Sequence, residues 1–319
     1  MIENKLRGNT GGSGFTSHTF TNLGQQGRTG PISTAGYAGS EVEGLVTLNT
    51  GRQLWSVPKT GNYQITVAGA QGGSGQGSLT AGYYGGGGGV VQATLALVGG
   101  TTLYLLVGQR GGSVCTDHSS GGGGASVVAT ALNANVLMVA GGGSGGGGNT
   151  NPHNGYDALS WTASNYGSGN GGTSTNGGGS GGGMQGTYNN YGDAGGATVT
   201  TADLNGKGYG STMNGGYGGT CAASTGNSCG LFADATGSLD FGGFGGGGGG
   251  EWCAAGCIGA GGGYTGGNGH TSSNATTGMT ASTSYVTPTA SNITALAPNK
   301  YTALTLGIGR NGYITITSV

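Results

Sequence analysis

Residues 62–70 read NYQITVAGA, and this stretch decides the fold class. Tyr63, Ile65 and Val67 alternate with Gln64 and Thr66. A period of two puts the apolar set on one face of a strand and the polar set on the other. Outward along the chain, VVQATLALV (90–98) repeats the pattern, with Val91, Ala93, Leu95 and Leu97 set against Gln92 and Thr94. TTLYLLVG (101–108) follows Gly99-Gly100, a dipeptide suited to a tight hairpin turn. GASVVATAL (124–132), NVLMVAG (135–141), KYTALTLGIG (300–309) and GYITITSV (312–319) complete the set. Short β-branched runs punctuated by Gly and Asn predict an all-β sandwich or jelly roll. No amphipathic helix is read; NITALAPN (292–299) suits one helical turn that Pro298 stops.

Glycine complicates this picture. It supplies 84 of 319 residues, with only 5 prolines and no strict third-residue period, which excludes collagen. Residues 141–270 contain 48 of those glycines but only 9 of the 49 Leu, Ile, Val and Phe residues. The chain therefore divides into an arm (1–14), the first part of a sandwich (15–140), a glycine-rich insertion (141–270) and closing strands (271–319). Runs such as 245–250 lose too much backbone entropy to order alone. Packed against one another as extended three-residue-per-turn helices, they can bond amide to carbonyl between neighbours with almost no hydrophobic core. A polyglycine II bundle is the expectation, and a flexible Gly/Ser linker is the alternative.

Charge narrows the function. Nine Lys and Arg balance ten Asp and Glu, for a net charge of −1, so no basic patch exists for nucleic acid. No membrane-inserting segment is read either. Catalytic motifs dissolve on inspection. GSGNGG (167–172) fits a dinucleotide fingerprint only as chance allows in so glycine-rich a chain, and no strand–helix context surrounds it. Ser144 and Ser180 satisfy GxSxG inside glycine runs, away from any strand-to-helix elbow. Lys207 lacks the neighbours of a phosphate loop, and DLNGKG (203–208) lacks most oxygen ligands of a calcium loop. Glu41 and Glu43 fall on one strand face, read as solvated, and His18, His118, His153 and His270 read as surface residues. The sequons at Asn274 and Asn292 matter only on a eukaryotic secretory route. No enzyme and no cofactor are expected.

Five cysteines, Cys115, Cys221, Cys229, Cys253 and Cys257, include two half-sites for zinc: Cys115 with His118, and Cys253 with Cys257 near His270. Free thiols or one or two disulfides are the simpler expectation, and no metal is assigned. The segments interrupting the glycine runs carry more information. NTNPHNGYDALSWTASNY (149–166), MQGTYNNYGD (184–193) and GYGSTMNGGYGG (208–219) mix aromatics with Asn, Ser and Gly, a composition typical of antibody paratopes. Tyr156, Trp161, Tyr166, Tyr188 and Tyr191 are the candidate contacts if these segments gather at a bundle end; otherwise they cap the bundle.

Ordered landmarks give a family resemblance. TFTNLGQQGRTGP (19–31), WSVPKTGNYQITVAGAQGG (55–73), LYLLVGQRGGSVC (103–115), LMVAGGGSGGGG (137–148) and DFGGFGGGGGGEWCAAGCIGAGGGYTGG (240–267) occur in sequence. Together with GRNGYITIT (309–317), they resemble the glycine-rich extracellular region of the anaplastic lymphoma kinase and leukocyte tyrosine kinase receptors. The resemblance implies a tumour-necrosis-factor-like β sandwich with an inserted polyglycine II bundle, and a Cys229–Cys253 bridge. It departs at Leu23, where those receptors usually have cysteine, and the chain shows neither a kinase nor a membrane span. MIENKLRGNTGGSGFTSH (1–18) is polar where a signal peptide needs an apolar stretch. By architecture alone, the chain is also similar to glycine-rich adhesins at the tips of phage tail fibres. That likeness implies a virion-surface protein made in the host cytoplasm and contacting a host glycan or outer-membrane protein. Its other partners would be a carrier fibre, a capsid protein or further copies of itself. A structural or decoration protein of a virion or filament, and a secreted or receptor-type ligand-binding ectodomain, are the alternatives.

Overall fold

A computed structural model describes residues 14–78, 81–113, 120–131, 134–147, 154–159, 242–248, 258–264, 266–267, 281–301 and 309–319. The described residues are all-β apart from one 3-10 turn, Ala35–Tyr37. The strands are β1 (Ser17–Phe20), β2 (Val46–Asn49), β3 (Arg52–Ser56), β4 (Gly61–Ala68), β5 (Gly75–Ser78), β6 (Ala81–Tyr83) and β7 (Gly88–Leu97). They continue as β8 (Thr102–Leu106), β9 (Ser126–Ala131), β10 (Ala134–Ala140), β11 (Tyr285–Val286), β12 (Ser291–Asn299) and β13 (Tyr313–Ser318). One antiparallel sheet runs β1-β13-β4-β7-β12, and the other runs β11-β10-β9-β8-β3-β2; β5 and β6 form a separate hairpin.

The alternation in β4 sets the register of the first sheet. Ile65 faces Ala93 of β7 and Ile316 of β13, and Val67 faces Val91 and Ile314. All six side chains are fully buried, while Gln64, Thr66 and Gln92 on the opposite face are half-buried. From the second sheet Trp55, Leu103, Leu105, Val128 and Met138 close the same core. Full burial of each aliphatic side chain contributes about 1.5–3 kcal/mol. Phe15 and Phe20 pack on Trp55 with ring centroids 4.9 and 5.7 Å away, bringing β1 onto the core.

Several local expectations are corrected. Gly99-Gly100 does form a turn, with Gly100 at φ 82°, but β7 and β8 belong to different sheets, so the turn crosses the sandwich and closes no hairpin. NITALAPN is strand, not helix: residues 291–299 form β12 and pair with β7 through two register shifts. Pro298 is tolerated because β12 is an edge strand, and among the described residues one of its sides carries no ladder. Glu41 and Glu43 lie in a turn, where each caps backbone amides. Glu41 Oε2 accepts from Thr16 N at 3.1 Å and Ser17 N at 3.4 Å, and Glu43 Oε2 accepts from Gly39 N at 2.8 Å.

His18, read as a surface residue, is half-buried, with one side of its ring against the core. Its ring meets Phe20 and Tyr37 edge-on at 4.9 and 5.0 Å, and its Nε2 makes no hydrogen bond. Burial pushes its pKa below the ordinary histidine value of 6.5, with the Glu41 carboxylate opposing that shift. A histidine depressed in the folded state binds protons preferentially when unfolded. Stability is therefore full above the unfolded value of 6.5 and falls as pH drops through the lower folded value. Chemical denaturation between about pH 7 and pH 5 should show a declining midpoint that His18→Gln flattens; equal slopes in both proteins would remove His18 as the cause.

Beyond the sandwich, the chain leaves the ends of the strands as glycine segments that bond to one another. All residues of 69–73, 85–89, 108–112, 120–125, 141–146, 242–248 and 258–262 are buried. Segment 120–125 displays the rule. Ser120 and Gly123 donate to Gly146 and Gly143, Gly121 and Gly124 to Gly112 and Gln109, and Gly122 and Ala125 to Gly248 and Gly245. Each neighbour is met again every third residue. In 141–146 the same spacing recurs, Gly142 and Gly145 donating to Gly262 and Gly259, and Gly143 and Gly146 to Ala70 and Gly73. Backbone hydrogen bonds replace side-chain burial as the cohesive interaction, each contributing about 0.5–1.5 kcal/mol net. Close approach is what requires glycine here: a Cβ on Gly122 would land on the carbonyl of Ala260, and one on Gly143 on that of Gly86. Five of these segments, from 69–73 to 141–146, begin or end within 15–141, so the array grows directly out of β4, β7, β8, β9 and β10.

Candidate functional site

The bonding pattern fixes which segment ends meet. Gly146 accepts from Ser120 and donates to Gly73, Gly73 donates to Gly121, Gly121 donates to Gly112, and Gly259 donates to Ser120. Gly73, Gly112, Ser120, Gly146 and Gly259 thus stand near one level, while Gly69, Gly108, Ala125 and Gly141 adjoin the strands. In the sequence these outer ends are joined through 74–84, 113–119, 147–154 and 249–257.

Of the aromatic contacts expected from sequence, Tyr156 is described, and Trp161, Tyr166, Tyr188 and Tyr191 lie outside the described residues. All five cysteines lie outside them too, including the Cys229–Cys253 pair. Tyr156 is 42% exposed. Its backbone is held firmly: the amide donates to Ser144 Oγ at 2.7 Å and the carbonyl accepts from Ser144 N at 3.1 Å. Ser144, read from sequence as part of a chance nucleophile motif, is a buried strut of the array. The following residue, Asp157, accepts from Gly87 N through Oδ1 at 2.7 Å and pairs through Oδ2 with Lys300 Nζ at 2.6 Å.

That ion pair leads to side chains that sequence reading missed. Tyr301 is 40% exposed, and the Arg310 guanidinium lies over its ring, 4.5 Å from the centroid. Beneath sits Gln71, 1% exposed. Its Nε2 donates to the Gly85 carbonyl at 3.1 Å and the Tyr301 carbonyl at 3.3 Å, and its Oε1 accepts from Tyr301 N at 3.0 Å and Arg310 N at 3.3 Å. One amide side chain therefore joins the closing segment 300–301, residues 309–310 ahead of β13, and the array. In the sequence Lys300 and Tyr301 belong to a run read only as strand, 230 residues from Gln71, so no local pattern signals the contact.

Two further features complete the inventory. An open depression of about 560 Å³ is lined by Thr130, Asn135, Val136, Leu137, Tyr264, Tyr285 and Thr287. Tyr264 and Tyr285 stack beside it, 4.3 Å apart and 10° from parallel, and burial followed by the neighbouring Tyr285 raises the Tyr264 pKa. Arg110 is 3% exposed, and burial pushes its pKa down to about 10; its Nη2 donates to Gln26 Oε1 at 3.1 Å. Among the described residues no three His, Cys, Asp or Glu side chains gather as a metal site would need. Compared with known proteins, the chain matches no described family and no curated sequence.

Proposed function

We propose that the chain is a non-enzymatic virion-surface protein, most specifically a tail-fibre-tip adhesin whose Tyr-, Trp- and Asn-rich loops contact the host surface. In this reading the sandwich is a tumour-necrosis-factor-like jelly roll, and the glycine array is the root of a polyglycine II bundle. The observation carrying the proposal is the common level of Gly73, Gly112, Ser120, Gly146 and Gly259, together with the exposure of Tyr156, the described aromatic of the paratope-like stretch that follows Gly146 in the sequence. A recurrence every third residue is what three-residue-per-turn helices produce. Such a lattice offers a rigid stalk of backbone, on which bulky side chains can be carried only where glycine stops. Rigid support with small polar and aromatic residues at its edge suits recognition better than chemistry.

The test is saturable binding of the purified protein to intact candidate host cells, beside a variant carrying Trp161→Ala, Tyr188→Ala and Tyr191→Ala. Adhesion that is lost in the variant, with thermal unfolding unchanged, supports the adhesin. A folded protein that binds no host cell overturns it in favour of a virion structural or decoration protein. That second reading has its own observation: β12 is an uncharged edge strand, exposed along most of its length, with Leu296 at 39%, as lattice contacts between copies would use.

A further inference from the structure

We propose that the depression lined by the stacked Tyr264–Tyr285 pair is a binding site for one neutral pyranose unit of a glycan. The inference goes beyond the loop-borne adhesin, because the site is built from the sandwich and segment 258–264 and uses none of the loop aromatics expected from sequence.

Three independent observations meet here. First, the residues share one depression of about 560 Å³, within the roughly 300–1,000 Å³ that small-molecule sites occupy. It lies where the glycine segment ending at Tyr264 meets the edge of the second sheet. Tyr264 N donates to the Thr283 carbonyl at 2.9 Å, and Tyr285 of β11 pairs with Val139 of β10. Second, the two rings lie 4.3 Å apart and 10° from parallel, and both line the depression while half-buried. Rings packed in this way present apolar carbon and have little freedom left to lose on binding. The C–H face of a pyranose is a complementary surface. Third, the ladder is broken at this point. β10 sets Val136 against Ala129 and Met138 against Val128, so Leu137 is an extra residue. Asn135, just before it, has φ 50°, a left-handed conformation that asparagine tolerates better than most residues. Bulges re-aim side chains and recur beside functional sites, and Asn135, Val136 and Leu137 all line the depression. The Thr287 amide donates to the Leu137 carbonyl at 2.8 Å and holds the bulge in place.

The polar groups select the ligand. Thr130 and Thr287 bring hydroxyls, and the exposed Asn135 brings a carboxamide. Both kinds of group donate and accept, as adjacent sugar hydroxyls require. Among the described residues, no lining side chain is charged at neutral pH, so a uronic acid would lose hydration without gaining an ionic partner. A wholly apolar ligand would in turn leave the hydroxyls and the amide unpaired.

The experiment titrates the full chain with the methyl glycosides of glucose, galactose, mannose and N-acetylglucosamine, following labelled tyrosine rings by NMR. Glucuronate and indole are the control probes. The expected result is a saturable shift of the Tyr264 and Tyr285 signals with at least one neutral glycoside. Tyr264→Leu should weaken that affinity about tenfold. Tyr264 also packs on the second core cluster, so its replacement can lower stability, and Asn135→Gly supplies the independent test. Glycine suits the positive φ of Asn135, so this variant should unfold no lower than the parent while binding several-fold more weakly for want of the amide. No saturable shift with any neutral glycoside overturns the site, as do an affinity that Asn135→Gly leaves unchanged and a preference for glucuronate or indole. The two proposals fail separately. Cell binding lost in the loop triple variant, with no glycoside shift, removes this site and leaves the adhesin. A glycoside shift in a protein that binds no host cell removes the adhesin and leaves the site.

Discussion

Gly143→Ala should lower the unfolding temperature by about 6 °C or more, corresponding to roughly 3 kcal/mol at the few degrees per kcal/mol expected for a chain of this size. The added methyl would occupy the position of the Gly86 carbonyl oxygen, and the atoms around it are backbone, with no flexible side chain to swing aside. Relief requires segments 85–89 and 141–146 to separate. Separation breaks the bonds from Gly86 to Ser144 and from Gly89 to Gly141, and loosens those from Gly143 to Ala70 and Gly123 to Gly143. Each buried amide or carbonyl left without a partner costs about 1–3 kcal/mol. Gly61→Ala is the control, because Gly61 is exposed in β4, has no atom within 4 Å of the added carbon and has no positive φ. That change should stay within about 0.5 kcal/mol of the parent. Calorimetric unfolding of both variants decides the matter, and equal unfolding temperatures would show that the array yields where the geometry says it cannot.

The same pair of glycines shows how far the sequence could be read. The sandwich was legible because alternation is a local signal: Tyr63, Ile65 and Val67 announce their buried face without reference to any partner. Sheet membership was not, since Gly99-Gly100 serves equally well for a hairpin and for the crossing between sheets that is found. NITALAPN misled because an edge strand exposed on most of its length carries no alternation, and its β state is imposed by pairing with β7. In the glycine segments a side-chain pattern cannot exist. Whether a given glycine is free, like Gly61, or enclosed, like Gly143, depends on five neighbouring segments that are remote in sequence. The candidate surface divides in the same way. Composition drew attention to Tyr156, whereas Tyr301, Lys300 and Gln71 come together only through the return of the final strands onto the array.

Gln71 is where that return is fastened, and Gln71→Met should cost about 3 kcal/mol or more. Methionine keeps the unbranched shape and nearly the volume of glutamine, so the change isolates hydrogen bonding from packing. Four backbone groups lose their side-chain partner together: the carbonyls of Gly85 and Tyr301 and the amides of Tyr301 and Arg310. Gln71 is 1% exposed, so water reaches these groups only if 300–301 and 309–310 lift away from the array. The effect should therefore be local as well as global. Amide hydrogen exchange at Tyr301 and Arg310 should accelerate far more than at Ile314 and Ile316, whose strand β13 remains paired with β4 and β1. Uniform acceleration of exchange across β13 and the closing segment would instead mean that the closing strands and the array open as one unit, with Gln71 contributing to overall stability and not to the placement of Tyr301.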